Sequence, residues 1–226
     1  MESLLASPFS TLPQLFVAAF VTALSGALMP GPVLFVTVRH SAASGRRAGP
    51  LVVLGHAVVE VPLMAAVILG LRPLLESNAF VGAVGLAGGL LLGLMSASML
   101  RSLSDLELPQ KEDSGDSNGT GALEVIGAGA ATSLANPYFT IWWATIGMRF
   151  LAGAARFALA GYVVFYTGHV LADLAWYAGI AEAVHRGRRV LSDTHYRWLV
   201  GVCAVLLIVF ALLFLHDGTG RLVARV

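Results

Sequence analysis

Apolar runs long enough to cross a bilayer recur six times along this chain and leave little else to fold. They cover residues 15–38, 51–71, 79–100, 123–147, 157–183 and 198–215, and ~20 predominantly apolar residues suffice for one helical crossing. Lipid offers the backbone no hydrogen-bond partners, so each run is expected to be helical. Composition agrees: 57% of residues are hydrophobic and only 12% charged, against about 25% charged in a soluble domain. The expectation is an all-α integral membrane protein with almost no soluble part. The net charge of +1 comes with no basic stripe, which argues against a nucleic-acid partner. The single Cys203 excludes an intramolecular disulfide and a CxxC redox pair. No positively charged region opens the chain, so no cleaved signal peptide is expected.

Two of the runs carry breaks at which a new half-helix can start. Ala27-Leu28-Met29-Pro30-Gly31-Pro32 interrupts the first. Pro30 and Pro32 supply no N–H, so the carbonyls of Gly26 and Leu28 lose their usual partners. An unpaired carbonyl in lipid costs several kcal/mol, so this backbone should face protein or a polar cavity. Pro32 suits the first position of a new half-helix. In the fourth run Asn136 is a good N-cap for a half-helix starting at Pro137. A pair of interrupted helices in corresponding places is the best sequence pointer to a transporter's binding site.

The two halves match in order as well. The first has the Pro-Gly-Pro break and then Gly55-His56, with Glu60 four residues after the histidine. The second has Asn136-Pro137 and then Gly168-His169, with Asp173 four residues on. Three spans per half invert the second copy relative to the first, giving a 3+3 inverted repeat. The expected organisation is a first repeat over 1–100, a flexible cytoplasmic linker over 101–122 and a second repeat over 123–226. The linker is rich in Ser, Gly, Asp and Glu, too poor in apolar residues to offset its ordering entropy.

Basic residues set the orientation. With the N-terminus outside, Arg39, Arg46, Arg47, Arg101, Lys111, Arg186, Arg188, Arg189 and Arg197 fall inside. Arg72, Arg149, Arg156, Arg221 and Arg225 fall outside. The excess lies inside, so both termini are expected outside.

Pro30-Gly31-Pro32, followed by Gly45-Arg46-Arg47-Ala48-Gly49 and Gly55, resembles the lysine exporter (LysE) superfamily, which includes the threonine and homoserine exporters. Asn136-Pro137, Trp142-Trp143, Asp173 with Trp176-Tyr177, a basic stretch and a last apolar span continue the likeness over nearly the whole chain. The resemblance implies a small prokaryotic inner-membrane exporter of amino acids or related solutes, driven by an ion gradient. The histidine after each motif glycine, and Glu60 itself, depart from the commoner pattern.

The candidate substrate and proton site is Glu60, Asp173, His56 and His169, with Gly31, Pro30, Pro32, Asn136, Pro137 and Trp176 around it. A carboxylate inside a span costs ~2.5–3.5 kcal/mol on insertion scales, so each acid should face a cavity or a partner. His56 and Glu60 share one helix face, as do His169 and Asp173. The acids are candidate proton carriers or ligands for a substrate ammonium. The bland alternative is that each acid only bonds its own histidine. Half-helix N-termini suit a carboxylate, and freed carbonyls with Ser133 suit a cation; a zwitterion needs both. The leading expectation is a proton-coupled secondary exporter working by alternating access, without a cofactor. Its partners are a small-molecule substrate, protons and the bilayer. The alternative is a divalent metal exporter, or an intramembrane metalloenzyme, using His56, Glu60, His169 and Asp173 as ligands. Gly82, Gly85, Gly89 and Gly93 form a small-residue stripe for close helix packing, within the chain or between two copies.

Overall fold

The computed structural model describes residues 9–28, 31–101, 103, 121–187 and 192–223. Pro30 of the first break and nearly all of the 101–122 segment lie outside the described residues. The described chain is almost wholly helical and contains no strand. Ten α-helices follow one another: α1 Leu12–Ala27, α2 Pro32–Ser44, α3 Ala48–Ile68, α4 Arg72–Leu75, α5 Asn78–Arg101, α6 Ala122–Leu134, α7 Pro137–Trp142, α8 Met148–Ala155, α9 Ala158–Gly187 and α10 Asp193–Val223.

Among the described residues four helical stretches are long and apolar enough to cross a membrane: Pro32–Ile68, which takes in α2, a turn and α3, then Asn78–Arg101, Ala158–Gly187 and Val200–Val223. Leu12–Ala27 and Ala122–Leu134 are apolar but shorter. At 1.5 Å per residue the 16 residues of α1 reach about 24 Å, short of the ~30 Å hydrocarbon core. The apolar run 15–38 is thus shared between two helices. Proline chemistry explains where the second begins: Pro32 occupies the first turn of α2 behind an extended Gly31, where a missing N–H costs nothing. Pro137 opens α7 in the same way, and the Asn136 side chain accepts from Tyr138 N at 3.0 Å. After α7 the chain makes a π-helical turn, Trp143–Gly147, and continues into α8. The basic residues expected in the first inner loop lie at or near the join of α2 and α3. Arg39 belongs to α2, while Arg46 and Arg47 form a 3-10 turn, Gly45–Arg47, that joins α2 to α3. Gly45 breaks the helical path with φ 75° and ψ −161°, a conformation that favours glycine, and α2 and α3 pack against each other, with Val33, Val36, Val52 and Val53 in one apolar cluster.

The packing partners exchange between the halves. α1 lies along α9, and α6 lies along α3; α3 and α9 cross each other, and α5 pairs with α10. Glycines mark the closest approaches. A Cβ at Gly55 would run into the Ile126 carbonyl and come within 2.9 Å of Ala130 N, both on α6. A Cβ at Gly168 would meet Phe16 O of α1 at 2.9 Å. Each glycine immediately precedes a site histidine, so the short helix of the opposite half crosses where the polar residues begin.

The α5 glycine stripe serves the α5–α10 pair within one chain. Cβ atoms at Gly85 and Gly89 would sit 3.1 Å from Phe214 O and 2.9 Å from Ala211 O. Ser96 Oγ donates to Ala204 O at 2.8 Å across the same seam. Such interhelical bonds average about 0.6 kcal/mol in membrane proteins. Ser96→Ala should therefore lower unfolding free energy in detergent by about that amount. Leu90, Leu94, Leu159 and Leu212 point outward with most of their side chains uncovered. An exterior this apolar suits acyl chains and would aggregate in water.

Candidate functional site

The crossing of α3 and α9 is lined by polar side chains in an otherwise apolar interior. Glu60 is fully buried, and His169 and Asp173 are each 5% exposed. A charge so placed is tolerated only if it is paired and hydrogen-bonded. His56 and Glu60 project from one face of α3, His169 and Asp173 from one face of α9, each pair four residues apart.

The shortest bond runs across the interface rather than within either helix. His169 Nε2 donates to Glu60 Oε1 at 2.7 Å. The same-helix pairs are longer, at 3.2 Å for His56–Glu60 and 3.5 Å for His169–Asp173. His56 Nε2 lies 3.7 Å from Asp173 Oδ2. One candidate ligand atom from each of the four residues falls within 4.8 Å of all the others. Each acid thus pairs with the histidine of the facing helix as well as with that of its own.

Ser133 fixes the His56 ring. Its single hydroxyl proton goes to Gly129 O at 2.7 Å. The 2.6 Å contact with His56 Nδ1 must then have the imidazole as donor. In the neutral ring Nε2 is a lone pair, and it faces the two carboxylates. His169 has no such anchor: its Nδ1 is buried without a partner, as are Glu60 Oε2 and Asp173 Oδ2. Aromatic rings hold His169 instead. Its ring lies 4.8 Å from that of Trp142, 5.5 Å from Trp143 and 6.1 Å from Phe165, while Phe139 packs 5.1 Å from His56. Trp142 and Trp143 sit where α7 gives way to the π-helical turn, a device frequent at functional sites.

The structure brings Glu60, Asp173, His56 and His169 together and adds Ser133, Phe139, Trp142 and Trp143 around them. Gly31, Pro32, Asn136 and Pro137 serve as helix starts, and Trp176 packs beside Val36, Val52 and Val125 with its indole N–H unpartnered. Among the described residues no hydrogen bond or ion pair links these five to the four. Pro30 lies outside the described residues. Tyr166 was not expected. Its hydroxyl donates to Ala57 O at 2.7 Å, tying α9 to α3 beside the cluster. Its place three residues before His169 puts it on the same helix face, the one signal that sequence offers for it.

The chain belongs to the LysE type translocator family, which it matches over residues 24–218. It is 31% identical over 196 residues to the chemotactic transduction protein ChpE of Pseudomonas aeruginosa, a match spanning 86% of this chain and 94% of that protein. No solved structure matches the chain. The chain is thus a multi-pass membrane transport protein.

Proposed function

We propose that this protein is a secondary exporter of amino acids or similar small charged or zwitterionic solutes, exchanging them for protons by alternating access. The observation that carries the reading is the crosswise cluster of His56, Glu60, His169 and Asp173 between two helices that occupy corresponding places in the two halves. Acids and imidazoles buried within a membrane bundle mark ion and proton pathways. A solute ammonium and a proton compete for the same carboxylates, which is what exchange requires. The exchange of packing partners, α1 on α9 against α6 on α3, is what a 3+3 inverted repeat with interrupted first and fourth spans would produce. In this reading residues 1–100 and 123–226 are the two repeats, and 101–122 links them in the cytoplasm. Both termini lie outside a prokaryotic inner membrane. One repeat would rock against the other around the cluster.

Proteoliposomes test it. Vesicles loaded with single amino acids and a pH-sensitive dye are placed in acidic medium. An accepted solute should leave the lumen as protons enter, with the rate following the imposed gradient. Efflux of no amino acid or related amine above that of protein-free vesicles would overturn the reading.

A further inference from the structure

One ligand atom from each residue of the cluster lies within 4.8 Å of all the others, a spacing that suits a bare ion. We propose that His56, Glu60, His169 and Asp173 form a four-coordinate binding site for a divalent transition-metal ion of the Zn²⁺ or Co²⁺ kind. This rests on the reading of the cluster as the cation-handling centre of an exporter, and it names a cation that the centre takes.

Bonds of about 2.0–2.1 Å in a tetrahedral site leave ligand atoms about 3.3 Å apart. Four of the six edges, His169 Nε2–Glu60 Oε1, His56 Nε2–Glu60 Oε1, His169 Nε2–Asp173 Oδ2 and His56 Nε2–Asp173 Oδ2, are 2.7, 3.2, 3.5 and 3.7 Å. They bracket that value, and with all four ligand atoms within 4.8 Å of one another a bound ion would draw the widest pair inward by up to about 1.5 Å. Two imidazoles with two carboxylates suit Zn²⁺, Co²⁺ and their neighbours. Mg²⁺ and Ca²⁺ want six or more oxygens, which these residues do not provide.

Two independent features point the same way. With the His56 ring neutral, Ser133 holds its proton on Nδ1 and leaves Nε2 as a lone pair aimed into the cluster; metal-bound histidines are oriented by just such a hydrogen bond on the far ring nitrogen. Glu60 and Asp173 are almost fully buried, and each keeps an oxygen without a hydrogen-bond partner. A divalent ion neutralises both carboxylates at once, in a place where unbalanced charge is costly. Ser133 is then a positioning residue.

The probe is Co²⁺, added to detergent-purified, metal-stripped protein with no membrane gradient. Tetrahedral Co²⁺ with nitrogen and oxygen ligands has intense visible bands, whereas six-coordinate Co²⁺ is pale. The expected result is one Co²⁺ per chain with the intense spectrum, displaced by Zn²⁺ and not by Mg²⁺. The His56→Asn/His169→Asn double variant should lose the signal, with its melting curve checking that it is folded. Ser133→Ala should bind about tenfold more weakly with little change in melting temperature, and Ser133→Thr should restore the affinity. Wild-type protein that shows no saturable one-to-one signal overturns the proposal whatever the variants do. So does a signal that survives in the double variant, which would belong to His40, His185, His195 or His216. Solute-driven proton movement in vesicles tests the exporter reading separately, so either can fail while the other stands.

Discussion

Asp173→Asn is expected to reduce solute-driven proton movement in proteoliposomes to the level of empty vesicles, with the protein still folded. The amide has nearly the volume of the carboxyl but neither binds a proton in the working pH range nor carries charge. Asp173 is the right acid to change because so little of the packing depends on it. Its Oδ2 accepts no hydrogen bond and stands 3.5 and 3.7 Å from the two histidines. Glu60 is the contrasting case. Its Oε1 sits 2.7 Å from His169 Nε2 and 3.2 Å from His56 Nε2. Glu60→Gln therefore weakens the crosswise bond as well as removing a charge, and hydrogen bonds to charged groups contribute about 1.5–3 kcal/mol. Both variants should fail in transport, but only Glu60→Gln should also melt markedly earlier in detergent. Wild-type proton flux in Asp173→Asn would place the coupling elsewhere.

That contrast also shows where sequence reading stops. The two histidine–acid pairs are legible because spacing of four is fixed by helix geometry. A burial cost for each acid follows from its place in an apolar run. Which histidine meets which acid is another matter. It depends on the rotation of α3 and α9 about their axes and on their separation at the crossing, and both are set by packing. Here the short bond goes from His169 to Glu60. The same limit applies to Ser133, whose contact with His56 spans 77 residues of sequence. Helical class and membrane-length runs depend on local composition, and they were legible for the same reason. The turn between α2 and α3, Gly45–Arg47, falls where a short basic, glycine-containing stretch separates two apolar runs in the sequence. The small residues were legible as a packing stripe on α5, yet the glycines that bear on the site are the two that precede the histidines.

Gly55→Ala is expected to be among the most damaging single-methyl additions in the protein. Overpacking a well-filled interior costs about 1–3 kcal/mol when side chains can yield. The new Cβ would instead meet backbone, the Ile126 carbonyl on α6 with Ala130 N at 2.9 Å, and backbone inside a helix cannot turn aside. Relief requires α6 to move off α3, carrying Ser133 away from His56 and disturbing the cluster. Gly168→Ala tests the corresponding crossing with less severity. Phe16 O would lie 2.9 Å away, and the other neighbours, Phe16 Cδ2 at 3.3 Å and the Ala19 methyl at 3.4 Å, belong to side chains. Gly127→Ala, with nothing within 4 Å of the added carbon, is the control and should be neutral or slightly stabilising, since alanine is the better helix former. Unfolding in detergent should rank the three variants Gly55, Gly168, Gly127 from least to most stable. Co²⁺ affinity should fall in the same order of severity, because the methyl that separates α3 from α6 also releases the hydroxyl that aims His56. A Gly55→Ala protein with wild-type stability would mean that α6 does not press against α3 at this glycine, and the anchor on His56 would lose its structural basis.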